Sequence, residues 1–248
     1  MADNKLVELQ ETIYNSKNPT RKYIHNKRKN YITGILNDLA IKYNHALEIG
    51  PGSGIYLNLL SKKFDSIIAV DIEEKYLNNI KQSDFTNLDL LIDDIKNTKL
   101  KKDSFDFILC TEVLEHITEA DIVLKNIESI LKPGGFLLLT TPQKYSPLEV
   151  CSKIAYLPGI INIIEWIYNE PILDAGHINL KTHGELKEII NDVGFDIISI
   201  DKMSLYIPLI AEFTGHSGLK LEQYIEKKIK GTKLDFLLWT QCFLLKKV

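Results

Sequence analysis

The segment from Ala46 to Gly54 is a short apolar run that breaks into three glycines at alternate positions. Glycine lacks a Cβ atom, so it adopts positive φ angles easily and lets backbone N–H groups approach a ligand. The pattern predicts a strand that turns sharply into a helix, whose positive end faces a small-molecule cradle. A dinucleotide fingerprint, G-x-G-x-x-G, would need glycine where Ile55 stands, and an acid, Glu48, precedes this turn. An ordinary tight turn is the alternative interpretation.

Strands and helices alternate from residue 46 onward. Apolar runs predict strands over residues 46–50, 66–71, 88–93, 105–111, 136–141, 195–201 and 236–245. Helices are predicted at 73–83, in a segment that ends near 131, and at 182–193, with a turn at 132–135. This alternation is typical of an α/β fold whose parallel sheet is covered on both faces. The acids and glycines that end the strands would then share the edge where such sheets bind ligands.

Three segments lie outside this alternation. Residues 1–44 predict two N-terminal helices, one over residues 3–15 and one from Thr20 to about Tyr43. Residues 142–176, which contain four prolines, and residues 202–234 are too long for ordinary connections and predict helical lid insertions over a substrate. Because no repeat or linker separates these parts from the core at 46–141, we expect one domain over residues 1–248.

The composition narrows the class of protein. A net charge of −3 over 248 residues gives no electrostatic reason to expect nucleic acid or an anionic membrane surface as a partner. Cys110, Cys151 and Cys242 lie far apart, which predicts a reducing, cytoplasmic compartment, no disulfide framework and no metal site. The first ten residues lack a signal-peptide core, and the apolar runs fall short of the ~20 residues of a membrane span.

Five motifs together resemble those of class I S-adenosylmethionine-dependent methyltransferases, in their small-molecule branch. They are Glu48-Ile49-Gly50-Pro51-Gly52-Ser53-Gly54, Val70-Asp71, Ile92-Asp93-Asp94-Ile95, Phe105-Asp106-Phe107-Ile108 with Glu112-Val113-Leu114-Glu115-His116, and Leu131-Lys132-Pro133-Gly134-Gly135. Their order matches over residues 46–141, and His177, Thr182 and Gly194 extend the resemblance to about residue 200. The fold that the resemblance implies is a Rossmann-like α/β domain. Its seven-stranded mixed sheet has the order 3-2-1-4-5-7-6, with the seventh strand antiparallel.

The resemblance also implies S-adenosyl-L-methionine as the cofactor and S-adenosyl-L-homocysteine as the product. It places the cationic methionine part beside the glycine turn, near Glu48 and above Thr111, which ends the fourth strand. The turn residues concerned are Gly50, Gly52 and Gly54. Asp71 would accept hydrogen bonds from both ribose hydroxyls, since a carboxylate offers two oxygens, and Ile72 would pack on the adenine ring.

The adenine ring is expected to meet the turn after the third strand. Asp94 aligns with the family's acid that accepts a hydrogen bond from the adenine amino group, and Ile95 would supply a backbone N–H. Asp93 stands where the family usually has a small residue, so Asp93 is the alternative partner of the base. For each of these acids, the competing role is that of a helix N-cap or a first-turn charge.

The histidines are the candidates for proton transfer. A sulfonium methyl group is already activated, so alignment and exclusion of water supply much of the acceleration. A base is needed only where the acceptor must lose a proton, and histidine suits that role near neutral pH. His177 is the first candidate, followed by His116 and His183. The alternative is a structural histidine that holds the lid.

The acceptor is expected to be a small molecule, methylated on O, N or C. Residues 110–113 read Cys-Thr-Glu-Val, whereas methylation of base amino groups would require an Asn/Asp-Pro-Pro-Tyr/Phe motif. The apolar lids favour a partly apolar acceptor, such as a quinone precursor, a lipid-linked sugar or an aromatic metabolite. Its acidic group would meet Arg21, Lys22 or Arg28 of a basic helix face, which could instead be merely solvated. The same apolar residues could also pack the lid or form a homodimer contact.

Two rival functions stay open on the sequence. A non-catalytic cofactor-binding or scaffold protein would keep this fold and close its acceptor side. An NAD-dependent oxidoreductase is disfavoured by Ile55, which replaces the last glycine of the dinucleotide fingerprint.

Overall fold

A computed structural model describes residues 14–39, 44–155 and 177–248 of the chain. The predicted helix at 3–15, apart from its last two residues, lies outside the described residues. So does the larger part of the first lid segment, residues 156–176.

Seven strands form one mixed sheet. They are β1 (His45–Ile49), β2 (Ser66–Asp71), β3 (Leu88–Ile92), β4 (Phe105–Thr111), β5 (Leu131–Pro142), β6 (Phe195–Met203) and β7 (Thr240–Lys247). Strands β1 to β5 pair in parallel, and β7 pairs antiparallel with both β5 and β6. The spatial order is β3-β2-β1-β4-β5-β7-β6. The predicted α/β class and strand order 3-2-1-4-5-7-6 are confirmed.

Helices cover both faces of this sheet. They are α1 (Pro19–Asp38), α2 (Leu57–Lys63), α3 (Glu74–Leu77), α4 (Ala120–Ile130), α5 (Pro147–Ala155), α6 (His183–Val193), α7 (Pro208–Phe213) and α8 (Gly215–Ile229). Four 3₁₀ turns accompany them, at Gln82–Asp84, Ile95–Asn97, Leu114–His116 and Asp235–Leu237. The core on one face packs α4 and α6 against the sheet, and the core on the other face packs α1 and α2.

The helix α6 shows how local sequence sets its own limits. Thr182 and Glu185 form a capping box, in which the Thr182 N–H donates to the Glu185 carboxylate at 2.7 Å. Gly194 ends the helix with φ of 98°. A residue with a Cβ atom adopts that left-handed conformation only with strain. The prediction of a helix over 182–193 is confirmed to within one residue.

Four predicted boundaries are wrong. The helix α1 ends at Asp38, and residues 40–43 lie outside the described residues. The helix predicted at 73–83 shortens to α3 and a 3₁₀ turn, because asparagines such as Asn79, which bonds the Lys75 carbonyl, compete with helical hydrogen bonds. The predicted turn at 132–135 is an irregular part of β5. The last strand, predicted to start at residue 236, starts four residues further along at Thr240, after the 3₁₀ turn at Asp235–Leu237.

The second insertion, residues 202–234, is docked onto α1 by two acidic side chains, the buried Glu222 and the partly buried Glu212. Glu222 accepts hydrogen bonds from the Thr20 hydroxyl at 2.7 Å and from the Ile207 N–H at 2.7 Å. Glu212 pairs with Arg21 at 2.9 Å. These contacts make α1, α7 and α8 one cover beside the sheet. Within the described parts of the chain, no helix is long and apolar enough to cross a bilayer.

Candidate active site

The glycine turn after β1 has the backbone that the sequence predicts. Gly50, Gly52 and Gly54 have φ angles of 66°, 53° and 71°. A Cβ atom on Gly50 would lie 2.5 Å from Cγ2 of Val113, so the loop after β4 packs directly on this turn. The helix α2 begins only at Leu57 and has seven residues, so the turn itself, and no long helix end, forms the cradle.

Glu48 lies in β1 immediately before the turn. Its side chain is 1% exposed, and neither carboxylate oxygen has a hydrogen-bond partner. Burial raises its pKa to about 8, because a charged carboxylate is poorly solvated there. A buried carboxyl group without a partner is costly. A ligand that brings an ammonium or sulfonium charge would satisfy it, so this residue fits the predicted cofactor.

Asp71 ends β2 and lies half-buried at the same edge of the sheet. One carboxylate oxygen accepts a hydrogen bond from the Glu73 N–H at 3.0 Å, and burial is the main cause of its raised pKa. The next side chain, Ile72, is 63% exposed. An exposed isoleucine beside a partly free carboxylate fits a ribose and an adjoining base.

The acids after β3 are held by their own loop. Asp94 caps the following 3₁₀ turn, where its two oxygens accept from the Lys96 N–H at 3.0 Å and from the Asn97 side chain at 2.9 Å. Asp93 accepts from the Lys99 N–H at 3.0 Å, and its other oxygen is buried without a partner. Ile95 is buried beside them. Asp94 therefore has the N-cap role that competes with base recognition, and Asp93 keeps the unpartnered oxygen.

A buried arginine, Arg28 of α1, approaches the end of β4. Its guanidinium is 2.6 Å from a Glu112 oxygen and stacks over the Trp239 ring at 5.6 Å. Burial works against the charge, but Glu112 and nearby tyrosines raise the pKa of Arg28 further above its usual value. Glu112 follows Thr111, has a φ of 54°, and accepts from the Thr140 hydroxyl at 3.0 Å. Arg28, like Arg21, thus meets an acid of this chain, whereas Lys22 is exposed.

His177 belongs to a network of buried polar groups. Its Nδ1 lies 3.0 Å from Glu149 of α5, and the Trp239 indole N–H donates to the other Glu149 oxygen at 2.8 Å. Burial lowers the pKa of His177, but the hydrogen bond with Glu149 and the charges of Glu149, Glu115 and Glu112 outweigh it and raise that pKa. The ring of His116 lies 5.3 Å away, centroid to centroid. The structure therefore brings the two predicted catalytic histidines together.

Glu115 and Glu149 were missed as site residues by the sequence reasoning. Glu115 lies in the 3₁₀ turn before His116, is fully buried, and accepts from the Thr141 hydroxyl at 3.1 Å. Burial and the neighbouring Glu112 raise its pKa. The signal for Glu115 was present, since it sits inside the Glu112–His116 motif. Glu149 had no local signal, because its partners His177 and Trp239 are 28 and 90 residues away. His183, the third candidate, stacks on Phe243 instead.

Comparison with known proteins identifies a family model, a relative and two solved structures that this chain resembles. A family model described as a methyltransferase domain matches residues 23–200. The ubiquinone biosynthesis O-methyltransferase of Coxiella burnetii (strain RSA 331 / Henzerling II) is 29% identical over 185 residues, which cover 72% of this chain and 74% of that protein.

Solved structures agree in fold. A chain from the complex between the Haloferax volcanii Trm112 methyltransferase activator and a methyltransferase superposes with a TM-score of 0.63 at 18% identity, over 91% of this chain and 92% of its own. The N-methyltransferase NodS from Bradyrhizobium japonicum WM9, in complex with S-adenosyl-L-homocysteine, has a TM-score of 0.57 at 14% identity, over 94% and 89%.

Proposed function

The chain belongs to the methyltransferase domain family and is a class I S-adenosylmethionine-dependent methyltransferase, and from this premise we propose that its acceptor is a small, partly apolar metabolite that carries a hydroxyl group. The cofactor supplies a methyl group already activated on sulfur. The protein has to bind that cofactor, present the acceptor oxygen in line with the methyl carbon, and keep water out.

We propose that the cofactor lies along the edge formed by β1, β2 and β3. The supporting observations are the left-handed glycine turn, the unpartnered carboxyl group of Glu48, and the exposed Ile72 beside Asp71. In this proposal Glu48 faces the cationic methionine part and Asp71 binds the ribose hydroxyls. Asp94 and Ile95 remain the proposed partners of the adenine, and Thr111 lies beneath the sulfonium.

The observation that carries the acceptor proposal is a set of exposed apolar side chains on the two segments that carry His177 and its partner Glu149. Ile178, the neighbour of His177, is 65% exposed. Val150 and Ile154 are also exposed, and their spacing of four residues puts them on one face of α5, the helix that carries Glu149. An acceptor with an apolar body and a polar reacting atom suits that combination. A relative at 29% identity is described as an O-methyltransferase of ubiquinone biosynthesis, which also favours such an acceptor.

We further propose that the lid segments 142–176 and 202–234 belong to the same domain as the core 46–141 and the N-terminal helices 1–44. The hydrogen bond from Thr20 to Glu222 and the ion pair between Arg21 and Glu212 support this arrangement for the second segment, because they join it to α1.

The experiment is a turnover assay with the full chain and S-adenosyl-L-methionine. The acceptor panel should contain simple phenols and catechols, the same rings with an alkyl or prenyl tail, matched amines, and an RNA transcript. We expect a methyl ether to form on the tailed hydroxylated rings. Methylation of the RNA or the amines, with the phenols untouched, would contradict the proposed acceptor.

Asp71 provides the matched test of the cofactor edge. Asp71→Ala should weaken S-adenosyl-L-homocysteine binding by about 1–3 kcal/mol, the usual cost of losing a charged hydrogen-bond partner. Asp89→Ala is the control, because Asp89 is an exposed acid on the neighbouring strand β3. A calorimetric dissociation constant that is unchanged in Asp71→Ala would refute this assignment.

A further inference from the structure

Three side chains from two distant parts of the sequence meet beside the proposed acceptor position. One carboxylate oxygen of Glu115 and one ring nitrogen from each of His116 and His177 lie within 4.8 Å of one another. Three ligand atoms bound to one ion at about 2.1 Å would be about 3.3 Å apart, so small side-chain rotations would close the set. We propose that Glu115, His116 and His177 bind a divalent transition-metal ion, which in turn binds the acceptor's hydroxyl oxygen.

The first support is the state of the Glu115 carboxylate. The side chain is fully buried, and its Oε2 accepts from the Thr141 hydroxyl, but its Oε1 has no hydrogen-bond partner. A buried carboxylate oxygen without a partner is destabilising, and a cation is the ligand that relieves it most directly. Glu149 adds a further buried carboxylate nearby, so a positive ion also balances the charge of this region.

The second support is the hydrogen bond between His177 and Glu149. A carboxylate can only accept, so Nδ1 of His177 carries the proton at 3.0 Å from Glu149. Nε2 then keeps its lone pair and is free to bind a metal. This carboxylate–histidine arrangement is the usual outer support of a histidine ligand. Trp239 fixes Glu149 in turn by donating to its other oxygen at 2.8 Å.

The backbone holds the two ligand segments together. The Glu115 carbonyl accepts from the Ile178 N–H at 3.0 Å and from the Asn179 N–H at 2.9 Å. The Asn179 side chain donates back to the carbonyls of Ile117 and Thr118 at 2.7 and 2.9 Å. The position of His177 relative to Glu115 is therefore set by four hydrogen bonds, as a preformed ligand set requires.

The location fits a role in methyl transfer. Val113, two residues before Glu115, is the side chain that a Cβ atom on Gly50 would meet at 2.5 Å. The loop that carries two of the three ligands thus packs on the proposed cofactor cradle. Two imidazoles and one carboxylate suit zinc and similar divalent ions, and three protein ligands leave a coordination position for a substrate oxygen.

The chemistry follows from that open position, and it rests on the proposed function. A bound ion would lower the pKa of the acceptor hydroxyl, so the hydroxyl loses its proton to solvent as the acceptor binds, before the methyl transfer from which water is excluded. The acceptor oxygen forms a bond to the methyl carbon, and the electron pair of the carbon–sulfur bond returns to sulfur, which becomes a neutral thioether. His177 then serves as a ligand and not as the base that the sequence predicts. The site also departs from the sequence prediction of no metal, which considered only cysteines.

The first experiment measures metal binding directly. The purified full chain is treated with a chelator, dialysed, and titrated with Zn²⁺ and, for its visible spectrum, Co²⁺. We expect about one ion per chain and a Co²⁺ spectrum of four or five coordination. Chelation should lower turnover of the hydroxylated acceptor while S-adenosyl-L-homocysteine still binds. Turnover that persists in protein without metal would overturn the metal site and leave the proposed methyl transfer intact.

Variants assign the ion to these ligands. Glu115→Gln and His177→Gln should lose zinc affinity by more than roughly 100-fold, and Glu149→Gln, a positioning variant, by roughly 10–100-fold with an altered Co²⁺ spectrum. His116 is exposed, so His116→Gln should fold as the unaltered chain does, and its loss of zinc affinity would not be explained by misfolding. His216→Gln, an exposed histidine on α8, is the control and should bind as the unaltered chain does. Equal zinc affinity in all variants would refute the proposal.

Discussion

The two sides of the candidate site are built in different ways. On the cofactor side, formed by β1–β3 and the turns that follow them, the acids after β2 and β3 are held by close neighbours in sequence, whereas Glu48 in β1 has no hydrogen-bond partner. Asp71 and Asp94 both accept from an N–H two residues further along the chain. On the acceptor side, formed by the loop after β4, α5 and residues 177–179, the partners are distant. Glu115, His177 and Trp239 bond to groups 26, 28 and 90 residues away.

This difference predicts how each side responds to substitution. Changes on the cofactor side should act on one part of the ligand, because each contact is local. Changes on the acceptor side should spread, because one carboxylate, Glu149, contacts two elements that are remote in sequence.

The largest effect is expected at Gly50, the point of contact between the two sides. Gly50→Ala places a Cβ atom 2.5 Å from Val113 at a φ of 66°. The left-handed backbone costs about 1–2 kcal/mol and the overpacking about 1–3, so the free energy of unfolding should fall by about 2–5 kcal/mol. Urea unfolding and calorimetric binding of S-adenosyl-L-homocysteine measure the loss.

A second substitution separates the two causes. Val113→Ala removes the clash and leaves the backbone strain, so the double variant should recover about 1–3 kcal/mol relative to the sum of the single variants. Gly34→Ala is the control, because a Cβ there meets nothing within 4 Å and the residue lies inside α1. It should stabilise the protein by about 0.5–1 kcal/mol. Strictly additive effects of Gly50→Ala and Val113→Ala would show that the two sides do not press on each other.

The same contrast explains what the sequence could predict. The strand order follows from the resemblance of five ordered motifs to a known family. The positive φ angles at Gly50 and Gly54 and the position of Asp71 at the end of β2 depend on local pattern and on one rule, that ligands bind at the carboxyl ends of parallel strands. The predicted length of the helix at 73–83 is wrong for a local reason as well, because its asparagines compete for backbone hydrogen bonds.

The acceptor side could not be predicted in this way. Nothing near Glu149 in sequence indicates His177, and nothing near Arg28 indicates Glu112; both pairs arise only when the sheet brings α1 and α5 to its edge. The basic face of α1 therefore looked solvated or substrate-binding, whereas Arg21 and Arg28 pair with acids of the chain. Burial converts such surface patterns into internal contacts, and a one-dimensional pattern does not record burial.

The next largest effect is expected for Glu48→Gln, which should change the free energy of unfolding and its dependence on pH. Its pKa rises to about 8 on folding because burial disfavours the charged form. Between the unfolded value near 4.5 and 8, the folded state binds more protons, so stability without the cofactor falls as the pH rises through this window. Glu48→Gln should raise the free energy of unfolding by up to about 3 kcal/mol at pH 7, because the ionised carboxyl group of the unfolded chain no longer has to take up a proton on folding.

The measurement is chemical denaturation of the cofactor-free protein between pH 5 and pH 9, roughly the range set by these pKa values. The unaltered chain should lose stability across the range, and Glu48→Gln should lose much less. Glu74→Gln is the control, because Glu74 is exposed at the start of α3. Parallel pH profiles for the unaltered chain and Glu48→Gln would show that folding does not raise the pKa of Glu48. Affinity for S-adenosyl-L-methionine should fall in Glu48→Gln, so stability and binding should change in opposite directions.

The smallest effect is expected at Asp94, where a substitution on the cofactor side should change cofactor affinity and nothing on the acceptor side. Asp94→Asn keeps the N-cap, because asparagine caps a helix as well as aspartate does, but it removes one acceptor oxygen. If Asp94 accepts from the adenine amino group, affinity for S-adenosyl-L-homocysteine falls by about 1 kcal/mol. An analogue with oxygen in place of that amino group can only accept a hydrogen bond, so it should bind Asp94→Asn at least as tightly as the unaltered chain, because the asparagine amide can donate and a carboxylate cannot. Asp93→Asn is the matched comparison, because Asp93 holds the Lys99 N–H and has a buried, unpartnered oxygen. Loss of affinity in Asp93→Asn alone would show that Asp93, and not Asp94, binds the adenine ring. An oxygen without a hydrogen-bond partner would then identify the ligand-binding residue better than alignment of motifs does. Among the described residues, the hydrogen bonds to both side chains come from residues 96–99, so neither variant should alter the pH profile or the metal content of the acceptor side.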